Sequence, residues 1–156
     1  MAWGEAYAKP LAAVSSLEAI AAGAPSDSGD LIAVVLDAHR GQVFGGLFER
    51  ELGNPFQLRE LTATVLGDPA EVLARFEGDM GGRMPLFATP TPEIFSLAMS
   101  NSPFAGARVA VASWVLSPAI GRLGYERAIR GETMSALDLE ANYVRRPDAE
   151  MNWKAS

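Results

Sequence analysis

The chain has 156 residues, 49% of them apolar, with thirteen basic and nineteen acidic side chains, one histidine, no cysteine and a formal net charge of −6. That apolar content can bury a core within one domain, which excludes a disordered chain. The negative charge repels a phosphate backbone and excludes non-specific nucleic-acid binding, while the lack of cysteine excludes disulfides and thiolate metal sites. Residues 1–10 carry no basic stretch followed by an apolar run, and no apolar run approaches the roughly 20 residues that span a bilayer, so a soluble cytoplasmic protein without a secretory signal is expected.

Residues 2–7 read as the end of a helix, 10–14 as a short extended piece and 15–22 as a second helix. Ser15 with Glu18 three residues on is a capping-box pattern, and Gly23 supplies a permissive stop. Leu17, Ile20 and Ala21 form an apolar stripe on this helix that two turns cannot bury by themselves, so another surface has to cover it. The turn formers of Ala24-Pro25-Ser26-Asp27-Ser28-Gly29-Asp30 mark a boundary between lobes. They divide the chain into a remnant of a first lobe over 1–24, a complete lobe over 30–146 and a tail over 147–156.

Residues 31–37 are a nearly continuous β-branched and aliphatic run, the pattern of a strand buried on both faces. Gly41 lets the chain reverse, residues 42–50 return as a second strand, and 57–65 alternate as a third. Asp68-Pro69-Ala70-Glu71 sets an N-cap, a first-turn proline and a capping glutamate at the start of a helix. Val72, Leu73 and Phe76 face its core side, and Gly78 ends it. A strand over 84–88, a helix from Thr91-Pro92-Glu93 with Ile94, Phe95, Ala98 and Met99, and a strand over 108–115 follow. A last helix runs from Ser117-Pro118 to Arg130 with Ile120, Leu123 and Ala128 inward. The order βββαβαβα predicts an α/β lobe with a mixed sheet and helices packed on it. It is the order of an actin, Hsp70 or sugar-kinase (ASKHA) lobe, two of which normally stack around a nucleotide cleft.

Few residues offer chemistry. His39 is the only histidine, which leaves no His-His metal site, and in a hairpin loop its ordinary state is a solvated side chain. Asp37 ends a buried strand at a tight turn and admits two readings: a catalytic or magnesium-binding carboxylate, or an acceptor for the backbone of its own turn. The strand it ends holds no second carboxylate to complete a metal pair, which favours the turn. Gly78, Gly81 and Gly82 lack the Gly-Lys-Ser/Thr ending of a phosphate loop and a helix behind them, so they read as a helix stop and a flexible loop. Arg145 and Arg146, beside Asp148 and Glu150, read either as surface ion pairs or as a bidentate dock for a partner's carboxylate or phosphate.

Three segments carry a resemblance. Val14-Ser15-Ser16-Leu17-Glu18-Ala19-Ile20, then Leu36-Asp37-Ala38-His39-Arg40-Gly41-Gln42-Val43-Phe44, then Glu140-Ala141-Asn142-Tyr143-Val144-Arg145-Arg146-Pro147-Asp148-Ala149-Glu150 resemble the bacterial TsaB (YeaZ-like) family. That family is the non-catalytic partner subunit of the machinery that makes threonylcarbamoyladenosine on tRNA. Asp37, Arg40, Gly41, Tyr143, Arg145 and Arg146 carry the family motif, and His39 and Phe44 depart from it. The family's opening Leu-Asp-Thr strand and its Gly-Pro-Gly-Ser-Phe-Thr-Gly stretch do not occur, so the resemblance implies a member without most of its first lobe. Many relatives also place Gly-Asp-Gly where this chain has Ala88-Thr89-Pro90-Thr91-Pro92.

The resemblance implies a scaffold with no catalytic, cofactor or metal residue of its own. Its partner surface would lie on the first-lobe helices, here Leu17, Ile20 and Ala21. The implied partners are a TsaD-like catalytic subunit or a second copy of the chain, with a TsaE-like ATPase in the full complex. ATP and metal would sit on those partners, tRNA would be met only indirectly, and no membrane is involved. The alternatives are an ATPase or metallopeptidase-like enzyme of the same fold, or a truncated inactive fragment. A metallopeptidase needs paired histidines, and an ATPase of this fold needs the phosphate loop of the first lobe.

Overall fold

The aliphatic run forms the central strand β1 (Leu31–Asp37), whose first five residues are all buried because both faces of the sheet are covered there. β2 (Val43–Glu51) and β3 (Asn54–Gly67) follow as antiparallel neighbours, with Leu31 opposite Glu49 and Asp37 opposite Val43. β4 (Leu86–Thr89) and β5 (Val109–Val111) add in parallel on the other side of β1, giving the order β3-β2-β1-β4-β5. The helices are α1 (Ser16–Gly23), α2 (Pro69–Asp79), α3 (Ser96–Ser100) and α4 (Ser117–Ile129), with a 3-10 turn at Pro92–Ile94. The mixed sheet and the βββαβαβα order are those expected. This computed structural model describes residues 9–25, 31–51 and 54–138, and no helix among them is long and apolar enough to cross a membrane.

Two compact units divide the chain. Ala12–Thr133 holds the sheet and the four helices; Met1–Leu11 with Met134–Ser156 forms the other. In the latter, Leu11 and Met134 make an antiparallel bridge, each N–H donating to the other's carbonyl at 2.9 Å. α1 packs with the sheet in the larger unit. The helix expected over 2–7 and the tail over 147–156 lie outside the described residues.

Strand β2 shows how the sheet is covered. Gly45 and Gly46 point to opposite faces, as neighbours on a strand must. A Cβ on Gly45 would overlap Val72 Cγ1 and lie 2.9 Å from Phe76 Cζ; one on Gly46 would lie 2.9 Å from the Phe48 ring and 3.3 Å from Leu17 Cδ1. Each missing side chain is the gap into which a helix is set, α2 on one face and α1 on the other. Beneath α2 and α3, Phe87 of β4 is ringed by Phe76, Phe95 and Phe104 at centroid distances of 6.5, 5.6 and 5.2 Å. Beneath α1, Leu17, Ile20 and Ala21 meet Ile32, Val34, Phe48, Leu86 and Ala88, while Ala19 and Ala22 meet Leu123 of α4.

Local signals place most element ends. At α2 the capping box forms as spelled: Asp68 Oδ1 accepts the N–H of Ala70 at 3.0 Å and of Glu71 at 3.2 Å, and Glu71 Oε2 accepts that of Asp68 at 3.3 Å. Four expectations are corrected. At α1 only half a box forms, Ser15 Oγ accepting from Glu18 N–H at 3.0 Å, and the helix runs through Gly23 to an extended Ala24. The helix from Thr91 breaks into the 3-10 turn and the short α3, because Phe95 leaves helical φ at −129° and sends its ring onto Phe87. β5 ends at Val111, since Ser113 Oγ accepts the N–H of Val115 at 2.9 Å and turns the chain. On α4 Leu123 is buried but Ile120 and Ala128 are exposed, because α4 rests on the alanines of α1 rather than flat on the sheet.

Candidate functional site

The β1–β2 hairpin carries the densest motif, and its carboxylate works on its own backbone. Asp37 Oδ1 accepts the N–H of His39 at 2.7 Å, and Oδ2 lies 3.4 Å from His39 Nδ1. Ala38 donates to the Gln42 carbonyl at 3.0 Å and Gln42 to that of His39 at 3.1 Å. These bonds hold His39, Arg40 and Gly41 at φ of 62°, 58° and 77°. Left-handed backbone costs a residue with a Cβ on the order of 1 kcal/mol, and the carboxylate bond offsets it. Of the two readings of Asp37, the geometry carries the turn acceptor. The His39 side chain is 85% exposed, the solvated turn residue expected of a loop tip.

β1, β4 and β5 are parallel, so their C-terminal ends share one edge of the sheet. Val34 and Ala88 are the last paired residues of β1 and β4, and Asp37 and Thr91 each follow three positions on. The chain leaves β1 toward β2 and β4 toward β5, on opposite sides, so this edge between β1 and β4 is the topological switch point where open α/β sheets take their ligands. Thr89 is fully buried there, and its Oγ1 accepts the Thr91 N–H at 3.1 Å. Beyond β5 the chain presents an apolar patch: Val111, Trp114 and Val115 are 72%, 64% and 70% exposed. Among the described residues no three His, Asp or Glu side chains converge as a metal site.

The proposed partner stripe is corrected. Leu17, Ile20 and Ala21 are 4%, 2% and 0% exposed, because the sheet of the same chain covers them. As α1 stands they offer no surface to another molecule. Tyr143, Arg145 and Arg146 lie outside the described residues. Asp37, Arg40 and Gly41 come together in the hairpin.

Two arginines have roles that the sequence reading missed. Arg50 is buried, and its Nη2 donates to the Ala21 and Ala24 carbonyls at 2.7 and 3.0 Å, its Nη1 to that of Pro25 at 3.4 Å. It thereby satisfies the open carbonyls at the negative end of α1. Arg127 of α4 grips the other end, reaching both oxygens of Glu18 at 2.6 and 2.8 Å and the Ala13 carbonyl. The signal for Arg50 was present: it shares strand parity with Phe44, Gly46 and Phe48, the side turned to α1. On the other parity, Glu49 binds both Arg59 and Arg83, and the hydrogen bonds from Arg59 and then Arg83 hold its carboxyl below the usual range.

Sheet order, hairpin and helices on both faces define the class: an ASKHA-like α/β lobe. Among the solved structures that share it are two from one organism. One is a Pseudomonas aeruginosa protein described by its similarity to peptidase YEAZ, with a TM-score of 0.73 and 19% identity over 92% of this chain and 63% of that one. The other is YeaZ from the same organism, with a TM-score of 0.67 and 18% identity over 87% of this chain and 61% of that one. This chain spans under two thirds of the length of either, and its fold is YeaZ-like. No family profile and no curated protein matches the sequence.

Proposed function

We propose that this chain is a TsaB-type scaffold subunit, cytoplasmic and without catalysis of its own, that supports threonylcarbamoyl transfer to adenosine in tRNA by binding a TsaD-like catalytic subunit. The observation that carries the reading is a coincidence of two kinds of likeness at the same residues. Asp37, Arg40 and Gly41 of the sequence motif build the hairpin that lies at the ligand edge of a YeaZ-like fold. Fold alone licenses no function and a short motif alone is weak, but here the motif residues and the edge of the fold coincide.

A scaffold holds its partner through surface that is otherwise exposed. With Leu17, Ile20 and Ala21 buried, that role passes to the exposed Val111, Trp114 and Val115, where the tryptophan is of the residue type enriched among interface anchors. ATP and metal belong to the TsaD-like subunit and the TsaE-like ATPase in this reading, and the acidic chain meets tRNA only through them.

Size-exclusion chromatography with light scattering, on the chain alone and mixed with the TsaD-like subunit of the same source, tests it. A defined heterodimer is expected, weakened about tenfold or more by Trp114→Ser, which changes nothing in the core. A mixture that elutes as two separate species at tens of micromolar overturns the reading.

A further inference from the structure

Between α2 and α3 runs an open groove of about 550 Å³. Ala70 and Ala74 form one apolar wall, over the buried Leu73, and Ile94, Leu97 and Ala98 form the other; Leu97 stands 77% exposed at its lip. The charged residues that line it are Asp68 and Glu77, with no lysine or arginine among the lining groups. Arg75, between them in sequence, is turned to Asp79 at 3.3 Å. Asp68 caps α2 and Glu77 lies nine positions along, roughly 13 Å away at the helical rise. The groove is thus apolar in its middle and negative toward both ends, on a chain of net charge −6.

The complement of that pattern is a segment with an apolar middle and a cation at each end. A helix supplies it when lysine or arginine stands at i and at i+7 or i+8, about 11–12 Å apart on one face, with large apolar residues at i+3 and i+4 between them. An anion is excluded as the occupant, since the first free N–H groups of α2 already point at the Asp68 carboxylate.

We propose that the α2–α3 groove docks a cationic amphipathic helix of a partner protein, its apolar residues against Ala74, Ile94 and Leu97 and its cations meeting Asp68 and Glu77. The proposal does not rest on the scaffold reading, and it uses a different surface from the Trp114 patch.

The probe is a designed alanine-based peptide of about 16 residues, long enough to be helical, with two leucines between lysines seven apart. A control carries glutamates in place of the lysines. Titrated into the isotope-labelled full chain, the lysine peptide is expected to shift amides of α2, the 3-10 turn and α3, and to bind about tenfold more tightly than the control. Leu97→Ser, at an exposed position that leaves the fold intact, abolishes binding. Glu77→Lys narrows or reverses the preference between the two peptides. Equal binding of both peptides, shifts confined to other surfaces, no binding up to about 1 mM, or indifference to Glu77→Lys would each overturn the proposal.

Discussion

Under α2 and α3 three phenylalanine rings pack around Phe87 of the sheet, whereas under α1 the sheet meets a leucine, an isoleucine and alanines, with an arginine at either end of the helix. The difference follows from helix size. α2 has eleven residues and buries Val72, Leu73 and Phe76, enough apolar surface to hold it down. α1 has eight residues, and three of its five buried side chains are alanines, so each end is tied by hydrogen bonds as well. Glu18 in its first turn and Arg50 at its last carbonyls also carry the signs that the helix dipole favours. One face is held by volume and the other by polar clamps, so the two should answer differently to truncation, salt and pH.

Phe87→Ala should strike hardest, about 3–5 kcal/mol lost in urea unfolding, because its ring touches three others and the cavity lies fully buried in the core beneath α2 and α3. Arg50→Met comes next, at roughly 2–3 kcal/mol, since it strips partners from carbonyls at the end of α1. Hydrogen exchange would read it as lost protection in α1 while β1 stays protected; a larger loss than that of Phe87→Ala would reverse the comparison. Arg127→Met should cost about 1–2 kcal/mol, and a double-mutant cycle with Glu18→Gln should give a coupling that shrinks as salt is raised. No such salt dependence is expected of Phe87.

The smallest effect is the pH response of Glu49. Its carboxyl is held below 4.5 by Arg59 and Arg83, so the stabilisation is present above its unfolded value and is lost as pH falls through the lower folded value. An NMR titration of Glu49 should show its midpoint rising toward 4.5 in Arg59→Ala. A midpoint that stays put would mean the guanidinium does not act on it in solution.

The parts legible in the sequence were those written in neighbouring residues. The run at 31–37, the cap at Asp68 and Glu71, and the hairpin at Asp37 to Gly41 each contain their own cause. What escaped depended on distant partners. Glu18 has the spacing of a capping glutamate, yet an arginine 109 positions on takes its carboxylate. The stripe of α1 appeared uncovered because its cover, Ile32 and Val34, comes later in the chain and on the other parity of a strand buried on both faces. The exposure of Leu97 and Trp114 is not legible in the sequence, since an apolar residue in a short segment gives no period from which exposure can be read.

The paired glycines of β2 have a consequence for assembly. A strand that slips by one residue turns every side chain to the opposite face. If β2 slips in one direction, Gly45 takes the place of Gly46 and Phe44 takes that of Gly45; in the other, Gly46 and Leu47 move in. Either error leaves one helix a gap and presents the other with a bulky side chain. Only the native register admits α1 and α2 together, so β2 proofreads its own alignment, and a misregistered sheet would betray itself as a lobe with one helix undocked.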